Sequence, residues 1–294
     1  MSALPIPATT QSVAASGLLR PLMVGPVRSL AVAVDGAHAV HLSTGDADVP
    51  LLSLVPADGV RLPGAVLVAG GPVAWEAVRR AGSQDAAIGV GVIRLGAVEL
   101  VPRRWWGGTR VRAGPGRDLD AGLVALEAVA LGVRPADDAT RAVTGRLTDA
   151  LTARLPSAHH VDAAVEAMIG LGPGLTPAGD DVLVGAVLAW HALALGRPEV
   201  DDAQARVAAA ILRFTQRTTA VSAALLTHAI RGEGVPSVVA LVHALADPVR
   251  IRTAAHKVVG IGHDSGSSML RGVLLATRFA CRSVTSPVPG MLVG

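Results

Sequence analysis

The feature that most limits what this chain can fold into is a change in the period of its apolar residues near residue 114. Before that point the apolar runs are short and broken by Gly, Pro and Asp. After it, apolar residues recur at the helical spacing. The runs 30–34, 39–42, 49–55, 65–69, 87–93 and 98–101 have strand length. Turn signals separate them at Asp35-Gly36, Gly45-Asp46, Asp58-Gly59, Pro63-Gly64 and Gly70-Gly71-Pro72, as expected of a β-rich region. They predict an N-terminal domain of barrel or sandwich type over 1–113, with one short helix over 74–80. Beyond Ala113-Gly114-Pro115-Gly116, helical runs follow at 118–131, 137–155, 161–169, 177–195, 203–213, 219–231, 235–246, 248–259 and 265–282. Acidic or hydroxyl residues open many of them and Gly closes several, as capping physics requires. The chain therefore reads as α+β, with a β-rich domain followed by an all-α domain over 114–294.

Composition sets how such domains can pack. Apolar residues make up 51% of the chain but aromatics only 2%, with no Tyr. The core must be built from Ala, Val, Leu and Ile, with helices brought close through Ala and Gly. A pI near 10.2 suggests nucleic acid, yet the formal net charge is only +3. Lys257 is the only lysine, so arginines dominate the alkaline end of the titration and raise the pI. No basic run of five occurs, and aromatics do not alternate with basic residues, which argues against a nucleic-acid partner. Cys281 is the only cysteine, so no internal disulfide forms; its apolar setting predicts a buried structural thiol. The apolar stretch 182–196 is too short to span a bilayer and reads as a core helix. With no signal-peptide pattern at its N-terminus, the chain is expected to be a soluble cytoplasmic protein without a membrane partner.

Three segments carry the chemistry. The first, Gly170-Leu171-Gly172-Pro173-Gly174-Leu175-Thr176-Pro177-Ala178-Gly179-Asp180-Asp181, ends one helix and starts another. Thr176 is placed as N-cap and Pro177 as the first helical residue. A glycine-lined loop entering a helix N-terminus exposes backbone donors at the positive end of a dipole, which suits an anion. Gly172, Gly174, Leu175, Thr176 and Gly179 are the candidate phosphate-binding positions. Asp180 and Asp181 in the first turn stabilise the dipole, hold an arginine, or bind a divalent cation accompanying a phosphate. A tight interhelical turn is the plain alternative, but four glycines, two prolines and paired aspartates exceed what a turn needs.

The second segment, Gly260-Ile261-Gly262-His263-Asp264-Ser265-Gly266-Ser267-Ser268, again opens a helix, with Asp264 or Ser265 as cap. Gly266 and the small hydroxyls leave room for a ligand, and His263 is a candidate oxyanion donor or general acid; an ordinary cap with an exposed His is the alternative. In the third, Thr218, Thr219 and Ser222 add hydroxyl donors near a helix start, or form the polar edge of a core helix. No HExxH or GxxxxGK[ST] pattern occurs, which argues against a zinc site or a P-loop. The first two segments are expected to meet in one pocket, because two converging helix N-termini suit a dianion.

The stretches GLGPGLTPAGDDVLVG (170–185), TTAVSAALLTHAIRGEG (218–234) and GHDSGSSMLRGVL (262–274) together resemble a bacterial family. It is the family of the small third subunit of oxamate carbamoyltransferase, from anaerobic allantoin degradation, long described as a domain of unknown function. The family pattern leads to an aromatic residue where this chain has Ser267, a difference that bears on fine substrate identity. The resemblance implies transfer of a carbamoyl group between carbamoyl phosphate and oxamate, giving oxalurate and phosphate, beside two larger partner subunits. Asp180, Asp181 and His263 are then the candidates for acid–base work, and the helix starts at 174–181 and 264–268 for holding phosphate and the developing oxyanion. A divalent cation at Asp180 and Asp181 is the one cofactor candidate. Competing readings are a non-catalytic scaffold subunit, and a stand-alone acyltransferase or amidohydrolase acting on a related small amide.

Overall fold

The computed structural model describes residues 9–82, 85–107, 109–114, 119–153 and 157–284. Pro115, Gly116, Asp118 and Leu155, which the sequence places at a boundary or at helix ends, lie outside the described residues. The chain divides into two compact units, Met1–Thr109 and Arg110–Gly294.

The first unit is a closed barrel of eight strands in the order β1-β5-β4-β3-β2-β6-β7-β8. These are β1 (Thr9–Ser16), β2 (Arg28–Asp35), β3 (Val40–Ser43), β4 (Leu51–Pro56), β5 (Ala65–Val68), β6 (Ala86–Gly89), β7 (Val92–Leu95) and β8 (Val98–Trp106). Helix α1 (Arg20–Val24) follows β1, and α2 (Gly71–Gly82) crosses between β5 and β6. Most neighbours are antiparallel, but β4 pairs β5 in parallel, and β1 closes the barrel in parallel against β8. Closure leaves no strand edge unpaired, which removes the usual route to edge-to-edge association. Leu42, Leu52, Leu54, Ile88, Ile93, Leu95 and Leu100 fill the interior, and Trp75 and Val78 of α2 pack onto the same cluster.

The expected strands are present, with three differences. The run 87–93 is a hairpin, β6 and β7, turning at Val90-Gly91 with φ of 44° and 86°. Positive φ at both turn positions matches the twist of a two-residue hairpin, but it normally calls for Asn or Gly rather than a β-branched residue. Strand β1 is unforeseen, because TTQSVAAS lacks an apolar alternation; its pairing with β5 and β8 makes it a strand. Strand β8 runs on to Trp106 because β1 pairs it along that length.

Among the described residues the second unit holds nine helices. They are α3 (Asp120–Leu131), α4 (Asp138–Thr152), α5 (Ala158–Met168), α6 (Ala178–Leu193), α7 (Pro198–Phe214), α8 (Ala220–Ile230), α9 (Pro236–His243), α10 (Pro248–Val259) and α11 (Ser265–Val284). Every residue of α6 from Gly179 to Trp190 is buried, so this helix is the axis of the unit. Helix α11 lies against it backbone to backbone. A Cβ on Gly185 would stand 2.0 Å from the Met269 carbonyl oxygen, and one on Gly272 would stand 2.0 Å from that of Val182. This is how a core nearly free of aromatics reaches interior density: small residues let helices approach until main chains touch. Cys281, expected to be fully buried, is only half-buried on α11, because it lies near the end of that helix. No described helix is long and apolar enough to cross a membrane.

Candidate functional site

The glycine-rich segment 170–181 is the connection from α5 to α6. Its glycines serve two purposes. Gly170, Gly172 and Gly174 have φ of 74°, 112° and 92°, a conformation that disfavours side chains. Gly179 has ordinary helical backbone but lies against α5: a Cβ there would stand 2.1 Å from the Met168 carbonyl oxygen. Gly266 of α11 is similar, with a Cβ position 1.9 Å from the Val258 carbonyl oxygen. Helix packing therefore already requires glycine at 179 and 266. Around Gly174 nothing lies within 4 Å of the Cβ position.

The two aspartates that follow are both buried but differ in their surroundings. Asp180 Oδ1 accepts from the Gly170 N–H at 2.9 Å, and its Oδ2 accepts from the Thr218 hydroxyl. The Ser222 hydroxyl lies beside the same carboxylate without completing a hydrogen bond. Burial raises the pKa of Asp180, while the Thr218, Gly170 and Ser222 groups oppose the rise. Asp180 thus ties the start of the loop to the start of α8. Thr219 secures the other end: its hydroxyl donates to the Leu175 carbonyl and accepts from the Ser222 N–H, capping α8. Thr218, Thr219 and Ser222 form a brace for the loop and do not line the cleft described below.

Asp181 is 1% exposed, and neither carboxyl oxygen has a hydrogen-bond partner. The Thr176 and Ser265 hydroxyls lie beside it but bond each other, at 2.7 Å. Burial, with a contribution from Asp180, holds its pKa well above the ordinary 3.8, against opposition from Ser265 and Thr176. The Asp181 carboxyl is accordingly shifted toward its neutral form.

The Thr176–Ser265 bond joins residues 89 apart in sequence and brings the starts of α6 and α11 together. Between them opens a cleft of about 540 Å³. Of the expected site residues, Gly174, Thr176, Asp181, His263, Asp264 and Ser265 line it. Gly172, Leu175, Gly179, Asp180, Thr218, Thr219, Ser222 and Gly266 stand outside that lining. Thr176 is not the N-cap of α6: Pro177, with ψ of 143°, holds that position without a side-chain cap, and the Thr176 hydroxyl is engaged with Ser265. His263 stands at the mouth, its side chain 80% exposed and 3.8 Å from Asp264. Asp180 is engaged by two donors, and Asp181 by none. Among the described residues no group of three or more His, Cys, Asp or Glu is placed to hold a metal ion.

Two arginines of the lining, Arg134 and Arg271, were invisible as candidates. Arg271, on α11, donates to the main-chain carbonyl of Arg134, and the Arg134 guanidinium lies 3.9 Å from Asp264. Burial lowers the Arg271 pKa, opposed by Asp264 and Asp137; a guanidinium still keeps its charge at neutral pH. Asp137 is occupied in capping α4, accepting from the Thr140 N–H at 2.9 Å and its hydroxyl at 2.6 Å. Two guanidinium groups and the positive ends of α6 and α11 suit a small anion. Arg271 lies in the third quoted stretch, 262–274, but in an arginine-rich chain neither residue stood out as a ligand group; the lining of the cleft marks them.

Fold and site together describe a closed β-barrel joined to a helical unit whose cleft presents anion donors beside one buried carboxyl. Residues 168–277 match the family described as oxamate carbamoyltransferase subunit AllH. The match contains all three motifs and supports the family they resemble. No solved structure matches the chain.

Proposed function

We propose that this chain is a subunit of a carbamoyltransferase assembled with two larger subunits, and that its cleft receives carbamoyl phosphate and oxamate. The observation that carries the reading is the meeting of two glycine-rich helix starts at the Thr176–Ser265 bond, beside Arg134 and Arg271. In the reaction the oxamate amide nitrogen attacks the carbamoyl carbon. A C–N bond forms, the bond from carbon to the bridging phosphate oxygen breaks, and the proton lost by nitrogen ends on the departing phosphate. Main-chain N–H groups at the helix starts and the two guanidinium groups hold the anionic ends, leaving the uncharged carbonyl carbon to react. His263, exposed at the mouth, is the candidate general acid.

Phosphate release from carbamoyl phosphate, measured with and without oxamate and with and without the partner subunits, tests this. Release that depends on oxamate is expected in the assembled enzyme, and Arg271→Ala is expected to lower kcat/KM about a hundredfold. A scaffold role is favoured by one observation, the 45% exposed Leu175 on the loop. It predicts that Leu175→Arg abolishes partner binding while Arg271→Ala leaves turnover unchanged.

A further inference from the structure

We propose that Asp181 is a specificity-determining residue that recognises a primary amide, the –CO–NH2 end of a small anionic ligand docking on its two unpartnered oxygens. The inference deepens the carbamoyl-transfer reading and rests on it for the identity of the ligands. The geometry comes first. A side chain 1% exposed, with both oxygens lacking partners, borders a cleft otherwise furnished with anion donors. A native protein rarely leaves such a group unsatisfied unless something else satisfies it.

The chemistry of the missing partner follows from the valences on offer. A protonated carboxyl presents one O–H donor and one carbonyl acceptor side by side. A primary amide presents the complementary acceptor and donor, so the two groups close through two parallel hydrogen bonds. A ligand carboxylate has acceptors only and would set a lone pair against the Asp181 carbonyl. An ester or ketone lacks the N–H. Oxamate and carbamoyl phosphate both carry –CO–NH2 beside an anionic group, and Arg134 and Arg271 stand in the same cleft for the anion. Docking opens the Thr176–Ser265 bond, which frees two hydroxyls to join the ligand.

Of the charged neighbours, Asp180 favours a neutral Asp181, and the arginines of the cleft favour the ionised form. Asp180 on the same helix is held by Gly170 and Thr218. From the α8 side the aspartate pair meets hydroxyls, Thr218 and Ser222. Asp137 before α4 is engaged with Thr140. Arg271 comes from α11, Arg134 from the segment after α3, and His263 and Asp264 from the mouth.

The test is calorimetric titration of the full chain, alone and with its partner subunits. The probes are oxamate against oxalate, and phosphonoacetamide against phosphonoacetate. The amide of each pair is expected to bind at least about tenfold more tightly, the scale of two hydrogen bonds a mismatched ligand cannot make. Asp181→Ala should remove that preference while leaving the acids' affinity within about threefold. Asp181→Asn, whose own amide pairs with an amide, should keep the preference. It should also lose the wild-type decline in amide affinity as pH rises through the Asp181 pKa. Folding of both variants is checked by melting and circular dichroism. Equal binding of acid and amide by the wild type, a preference that survives Asp181→Ala, or no binding of any probe would overturn the proposal. Amide preference without phosphate release would retire carbamoyl transfer and leave the Asp181 assignment standing; phosphate release without the preference would do the reverse.

Discussion

The barrel and the helical unit both use glycine heavily, but the helical unit leans on a second use besides turning. In the barrel, Gly45, Gly70, Gly89, Gly91 and Gly96 have positive φ and let the chain turn. In the helical unit Gly122, Gly179, Gly185, Gly266 and Gly272 lie where a Cβ would stand 2.1 Å or less from another segment's carbonyl oxygen. There they let main chains touch. The buried polar groups differ too. His41 in the barrel bonds Ser53 across β3 and β4 at 2.8 Å, whereas Asp181 in the helical unit has no partner. Among the described residues Trp106 in the barrel and Trp190, Ser222 and His228 in the helical unit also have one buried polar atom without a partner, but only Asp181 has both oxygens of a carboxyl in that state.

The sharpest way to break this contrast is Gly185→Ala. Helices in main-chain contact cannot make room for a methyl, so a loss of about 3 kcal/mol or more is expected in urea unfolding. A loss below about 1 kcal/mol would show that α6 and α11 are not so close. Next comes the aspartate pair. Asp180→Ala strips Gly170 N–H and the Thr218 hydroxyl of their acceptor and is expected to cost about 2–3 kcal/mol. Asp181→Asn removes no hydrogen bond and cannot ionise, so it should stabilise the unliganded chain by about 1 kcal/mol at pH values where burial opposes the charged carboxylate. The sign of its pH dependence follows from linkage. The folded pKa is raised above 3.8, so the wild type keeps its full stability below that value and loses it as pH rises toward the folded pKa. The advantage of the Asn variant should therefore grow as pH rises above about 4 in paired urea melts; a shrinking advantage would refute the raised pKa. The smallest effect is expected in the barrel. Val90→Gly should relieve the strain of φ 44° at the β6–β7 turn and raise stability by about 0.5–1 kcal/mol.

Much of this arrangement was legible in the sequence, and the gaps have physical causes. Strands β2 to β5 and helix α2 announced themselves through apolar runs and turn residues. The β6–β7 hairpin was hidden because Val90 occupies a place where Asn or Gly would have marked the turn. Strand β1 was hidden because its conformation comes from closure, not from its own residues. At the site, both glycine-rich helix starts could be read locally. Their meeting was an inference from like chemistry, and the Thr176–Ser265 contact is where it takes physical form. The distinct environments of Asp180 and Asp181 had no signature, since adjacent residues on a helix point about 100° apart and only tertiary packing tells which one meets donors.

The parallel pairing of β1 with β8 has a consequence for synthesis. The first strand of the barrel to be made, Thr9–Ser16, takes as one neighbour its last, Val98–Trp106. At about 5–20 residues per second, β1 waits several seconds for that partner. Its other neighbour, β5, arrives sooner, but the seam itself cannot be sewn until β8 has cleared the exit tunnel. The polar character of TTQSVAAS suits a segment that must spend this interval in water. A nascent chain stalled before residue 98 should expose the seam to chaperones, and one stalled well beyond Trp106 should not.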